Sequence, residues 1–181
     1  LWLPIVVSAI AVFVLSSLVH MILPWHKHDY RTLPDQDLVM DALRPFNIPP
    51  ADYMVPRPAS MADMKSPEFA AKRARGPVMI MTVLPSVATP GMGKYLSQWF
   101  VYILIVSAIV ACVTFAAAGT APSDHRIFHF AAFTTLIAYV VGAWPASIWL
   151  GRSWGTTFRA TVDGVLYAIA SGLIFTWMWP K

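Results

Sequence analysis

Residues 95–121 read YLSQWFVYILIVSAIVACVTFAAAGTA, a run without one charged side chain. A hydrocarbon core of about 30 Å takes about 20 residues of α-helix to cross, so this stretch alone commits the chain to a bilayer. Three more uncharged apolar stretches, residues 1–23, 127–150 and 164–180, are long enough or nearly so. The expected fold is an all-α membrane protein with four transmembrane helices in one bundle. They are expected at about residues 1–24, 95–120, 127–150 and 160–180. Residues 25–94, between helices 1 and 2, are expected to form a cytoplasmic cap of short helices and extended segments.

Composition agrees. Of 181 residues, 57% are hydrophobic and only 12% charged, against roughly 25% charged in a soluble domain. The net charge of +4 sits in the gaps between apolar stretches. Positive-inside bias explains such charge better than nucleic-acid binding, which is excluded as a partner class. The single cysteine, Cys112, lies inside an apolar run. That rules out an intramolecular disulfide, a thiolate zinc site or a redox pair within one chain. The first stretch lacks a basic n-region and a small-x-small cleavage site, so it reads as a retained helix.

Charge and tryptophan orient the helices. Nine of the 13 Lys and Arg residues lie between the first two stretches: Lys27, Arg31, Arg44, Arg57, Lys65, Lys72, Arg73, Arg75 and Lys94. Arg152 and Arg159 follow the third stretch, on the same side by alternation, and only Arg126 and Lys181 fall opposite. The crowded side is expected to be cytoplasmic, with both termini periplasmic. Trp25, Trp99, Trp149 and Trp154 mark the inner boundary, and Trp2, Trp177 and Trp179 the outer. Indoles favour the headgroup layer, so the two patterns point the same way.

Within residues 25–94 a helix is expected from Pro34, capped by Thr32, with Val39, Ala42, Leu43 and Phe46 on one face. Pro49 to Pro58 should be extended. Ser60-Met61-Ala62-Asp63 resembles a capping box, and Ser66-Pro67-Glu68 should start a second helix that ends at Gly76. The basic residues Lys72, Arg73 and Arg75 are candidates to face lipid or a partner. Residues 77–90, apolar but broken by Pro85, suggest a buried strand-like or interfacial segment ending at Pro90.

Few residues suggest chemistry. Asp163 is the sharpest, expected in the first turn of the fourth helix with Tyr167 and Ser171 on its face. A carboxylate at membrane depth needs a partner. His20 on the first helix is a candidate, and the two would form an intramembrane polar pair with Tyr167 alongside. Against this, a helix N-terminus and Arg159 four residues away account for Asp163 structurally. His26-Lys27-His28-Asp29 is ligand-rich but lacks defined metal spacing. His125 and His129, four apart, are the weak metal candidates, with no accompanying glutamate. No metal or other cofactor is expected. Gly164, Ala168 and Gly172 form small-xxx-small steps that allow close helix packing. Gly142 and Pro145 should bend the third helix.

The segments Ser16-Ser17-Leu18-Val19-His20-Met21, Leu23-Pro24-Trp25-His26-Lys27, Ile148-Trp149, Gly151-Arg152-Ser153-Trp154, Asp163-Gly164 and Tyr167-Ala168 resemble a group of small bacterial inner-membrane proteins. The resemblance implies bacterial origin and integral-membrane character, and carries over no catalytic residue. Scarcity of intramembrane polar groups favours a structural or accessory subunit, bound to lipids and to a protein partner or a second copy. The alternative is a small transporter, channel subunit or proton-relay component using His20 and Asp163. An enzyme is the least favoured class.

Overall fold

The computed structural model describes residues 1–86, 91–119 and 121–180. Pro90 and Lys181, each of which enters the sequence reading, lie outside the described residues. In chain order, α1 (Trp2–Ser17) runs into a π-helical turn (Leu18–Ile22) and a 3-10 turn (Pro24–His26). After α2 (Gln36–Leu43) come β1 (Ala51–Val55), α3 (Met61–Met64), α4 (Pro67–Arg75) and β2 (Met79–Val83). Then follow α5 (Met92–Ala118), α6 (Asp124–Val140), α7 (Trp144–Leu150) and α8 (Trp154–Met178). The chain divides into two compact units, one formed by Leu1–Arg31 with Gly91–Lys181 and the other by Thr32–Pro90.

The first unit holds four helical segments long and apolar enough to cross a membrane: Trp2–Ile22, Met92–Ala118, Asp124–Leu150 and Trp154–Met178. This is the architecture of a multi-pass membrane protein. α1 packs on α5, α5 on α6, α6 on α8, and α8 back on α1, which closes the ring. Short α5–α6 and α7–α8 connections make sequential helices neighbours, as a bundle requires.

Burial is sorted as lipid would sort it. Ile105, Ile109, Phe115, Phe133, Ile137 and Leu173 are exposed on the outside, while Ser8, Ser16, Thr114, Thr135 and Ser171 are buried within. With hydrocarbon outside, apolar side chains gain little by going in, and helices associate through close packing and hydrogen bonds. Ser8 Oγ donates to Ser171 Oγ at 3.0 Å and Trp99 Nε1 to Ser16 Oγ at 2.9 Å, tying α1 to α8 and α5. The apolar interior is small. Val106, Val110, Ile127, Ala131 and Phe175 form one cluster, and Ala9, Val12, Ile103 and Tyr167 another.

Gly164, Ala168 and Gly172 are turned inward on α8. A Cβ at Gly164 would meet the Val140 and Tyr139 side chains of α6, and one at Gly172 would lie 2.9 Å from the Phe128 ring. The small-residue stripe therefore joins α8 to α6 inside this chain.

Two helix interruptions follow from the sequence. Pro145 has no N–H for the Val141 carbonyl, and a 3-10 turn (Val141–Ala143) separates α6 from α7. At the end of α1, the Ser16 and Ser17 hydroxyls donate back to the Phe13 carbonyl at 2.9 and 2.8 Å, a bond that bends helices. Pro24 then withholds the N–H that would reach the His20 carbonyl, and the chain leaves through the π turn.

The fourth helix differs from expectation where it matters most. It begins at Trp154, not near residue 160, so Asp163 lies nine residues in, about 13 Å along the axis at 1.5 Å per residue. Polar residues 156–163 hid this turn from hydropathy. They stay helical because their side chains find partners within the bundle, Thr157 with Ser147 at 2.5 Å and Arg159 with Asp29. Asp163 is therefore too deep for the helix N-terminus to stabilise, since that effect fades within the first turn.

The second unit is small. α2 starts two residues after Pro34, with Asp35 in a left-handed conformation and Thr32 taking no capping role. Ser60 Oγ accepts from Asp63 N at 3.1 Å, and Asp63 in turn accepts from Ala59 N at 2.7 Å, a reciprocal cap for the single turn of α3. Ser66 Oγ accepts from Phe69 N, and α4 ends at Gly76 with φ 61°. Replacing Ser66 by Ala should lose about 1 kcal/mol locally. The readout is roughly fivefold faster hydrogen exchange in the first turn of α4.

β1 and β2 pair antiparallel in the register Ala51 to Val83 through Val55 to Met79. This ribbon departs from the all-α expectation. The strand expected in residues 77–90 is present at Met79–Val83, but mostly exposed where burial was expected. Within the ribbon only Tyr53, Met81 and Val83 are half-buried.

Candidate functional site

The deep polar cluster of the bundle is assembled from three elements. The π turn supplies His20, the 3-10 turn after it supplies His26, with Asp29 just beyond, and α8 supplies Arg159 and Asp163. Single-turn π segments are often found at functional sites, because the extra residue re-aims the side chains around it.

Arg159 anchors the cluster. Its Nε donates to Asp29 Oδ1 at 2.7 Å, and a terminal nitrogen lies 2.5 Å from the same oxygen. The other Asp29 oxygen accepts from His26 Nδ1 at 2.7 Å. Burial pushes the Asp29 carboxyl up, but the hydrogen bonds and charges of His26 and Arg159 outweigh it and hold the group below its ordinary range. A depressed carboxyl contributes stability above its unfolded pKa of about 4, and that contribution is lost as pH falls through the folded value.

On its far side, His26 Nε2 lies 2.8 Å from Asp163 Oδ2. The distance is that of an ion pair, yet the His26 Nε2 makes no hydrogen bond of ordinary geometry. Asp163 is 3% exposed, and its Oδ1 has no partner. His20 stacks on His26 with ring centroids 4.0 Å apart and planes 10° apart, while its Nδ1 donates to the Ser16 carbonyl at 3.0 Å. Ligand atoms of His20, His26 and Asp163 lie within 4.8 Å of one another, and this is the one such trio among the described residues.

Two clefts reach Asp163. One, of about 400 Å³, is lined by Ser17, His20, Trp99, Tyr139, Asp163 and Tyr167. The other, of about 670 Å³, is lined by Val19, Trp25, Phe158, Arg159 and Asp163 among others. Asp163 is the one described residue common to both. The Tyr139 and Tyr167 hydroxyls are buried without partners. Tyr167 stacks edge-on against Tyr139 at 5.3 Å.

The arrangement departs from the sequence reading in its partners. Asp163 does meet a histidine, but the contact is His26, with His20 one ring behind. Arg159 pairs with Asp29 and not with Asp163. His26 and Asp29 sit where the loop gave no periodicity to place them. The only signals were the excess of ligand-type residues after Pro24 and their closeness to His20. At the other end of the bundle, His125 and His129 bring their Nε2 atoms to 2.9 Å, but exposed and with no third ligand among the described residues. Lys72, Arg73 and Arg75 are exposed on the last turns of α4. Cys112 is free and exposed. Comparison with protein-family models, curated proteins and solved structures gave no match.

Proposed function

We propose that this protein handles cations within the membrane, as a small transporter or proton-relay component with His26 and Asp163 as its working pair. One observation carries the reading. His26 Nδ1–H is given to Asp29, so the neutral ring keeps a lone pair on Nε2, 2.8 Å from the Asp163 carboxylate. Two acceptors at that distance repel unless they share a cation, either a proton on the ring or a metal ion. The charge inventory agrees. Asp29 is paired with the Arg159 guanidinium, whereas Asp163 faces only His26. With both rings neutral, one negative charge is left over. Ionisable groups at membrane depth are expensive and mark ion and proton paths.

Charge and tryptophan placement support a topology with both termini periplasmic and residues 25–94 cytoplasmic. The resemblance noted above supports a bacterial inner membrane. The accessory-subunit reading stands second. It draws on the exposed basic turn of Lys72, Arg73 and Arg75, none of which has an ion-pair partner among the described residues. It no longer draws on Gly164, Ala168 and Gly172, which pack within the chain.

The test is reconstitution in liposomes carrying a proton-sensitive and a zinc-sensitive dye, with a set membrane potential. Flux of one cation above empty liposomes is expected, reduced about tenfold or more in Asp163→Asn. A cluster that only braces the helices leaves flux at the empty-liposome level, and that result sinks the proposal.

A further inference from the structure

We infer that His20, His26 and Asp163 form a binding site for one divalent transition-metal ion of the zinc class. The inference rests on the cation-handling reading of the same cluster and names a cation for it.

The donor set comes first. Metal-binding histidines characteristically give their second ring N–H to a carboxylate or a backbone carbonyl, which fixes the tautomer and aims the other nitrogen. Both histidines here are in that state. His26 Nδ1 is held by Asp29, itself held by Arg159, and His20 Nδ1 is held by the Ser16 carbonyl. Each neutral ring is left with a free Nε2 lone pair, the form that ligates.

The acceptor side is also ready. Asp163 has an unpartnered Oδ1 on a side chain that is almost wholly buried, and the neighbouring His26 Nε2 makes no aligned hydrogen bond. Groups buried that deeply are normally satisfied, so two unsatisfied atoms on neighbouring side chains of one cluster point to a missing occupant. Two imidazoles and one carboxylate suit zinc or iron(II), and unlike an all-oxygen cage they do not suit magnesium or calcium. Three protein ligands leave a fourth position open, as in exchangeable or catalytic sites.

Distance decides how much must move. Metal–ligand bonds of about 2.0–2.2 Å put tetrahedral ligand atoms roughly 3.3 Å apart. Here the ligand atoms all lie within 4.8 Å of one another, with His26 Nε2 and Asp163 Oδ2 already at 2.8 Å. Asp163 is fixed by α8, whereas His20 is exposed and lines the open cleft. Closing the trio therefore falls to a small shift of the exposed His20 side chain that keeps its bond to the Ser16 carbonyl.

The experiment uses the full chain in detergent, stripped with a chelator and titrated with zinc alone, then with cobalt(II) for its coordination spectrum. The expected result is one zinc per chain with Kd at or below about 1 μM, and a cobalt spectrum of tetrahedral type. Binding should vanish in His26→Gln and Asp163→Asn. It should weaken roughly 10- to 100-fold in Asp29→Asn, which loses only the support behind His26. His125→Ala should bind as the native chain does. Because the native chain is itself a readout, a variant that fails to fold does not rescue the inference. No zinc binding by the native chain overturns it, as does binding that is lost in His125→Ala and kept in His26→Gln. Proton flux sensitive to Asp163→Asn without zinc binding overturns the metal site and leaves the cation-handling reading standing. Absence of both removes the two together.

Discussion

Gly164→Leu is expected to break the α6–α8 contact and lower the stability of the bundle by 3 kcal/mol or more, at or above the top of the roughly 1–3 kcal/mol usual for overpacking. A Cβ at this position falls within the Val140 side chain, and Tyr139 Cβ is only 3.4 Å away. Val140 is 6% exposed and β-branched, with one strongly preferred rotamer in a helix, so it cannot swing aside. The next atoms are the Tyr139 backbone. Relief therefore requires the helices to separate, and in lipid no hydrophobic drive pulls them back. Thermal unfolding in detergent, followed by near-ultraviolet circular dichroism, is the measurement. Gly93→Ala, with open space around its added Cβ, should unfold as the native protein does. Equal stability of Gly164→Leu and the native chain would show that α6 and α8 do not meet here.

Arg159→Ala is the second large effect, at about 2–3 kcal/mol. Removing one partner of a fully buried ion pair costs roughly 3–5 kcal/mol, because the other charge is left behind. The discount reflects Arg159, which keeps 21% of its side chain exposed against 11% for Asp29. Asp29 would retain only His26, and the turn joining Pro24 to Arg31 would keep only the His26–Asp163 contact to α8. The matched double variant Asp29→Asn with Arg159→Ala should recover part of the loss, since no unpaired carboxylate remains. A double variant no better than Arg159→Ala alone would mean that the pair contributes nothing through charge.

Several parts of this architecture were legible in residues alone. Uncharged runs of membrane length located four helices, because no other element satisfies its backbone in hydrocarbon. Proline and glycine marked the break before Trp144 and the end of α4, since a missing N–H or a positive φ acts locally. The start of α8 was not legible. Hydropathy reads Thr156, Thr157 and Arg159 as a loop, whereas their helical state depends on Ser147 and Asp29 from elsewhere in the chain. The ribbon of β1 and β2 escaped for the same reason, because its partner strands lie far apart in sequence.

The sequence by itself determined that the chain is built for a bilayer, that four of its helical segments are of membrane length and which residues are scarce enough to matter. Those properties are sums over neighbouring residues. Only the tertiary structure decided which polar groups meet. It exchanged Arg159 for His26 as the partner of Asp163, gave Arg159 to Asp29, laid His20 on His26, and spent the α8 glycines on α6. Partner choice depends on helix rotation and depth, and a π turn or about six residues of misjudged helix changes both. The decisive pair, His26 with Asp163, is 137 positions apart in the chain, and no local pattern can see across that span.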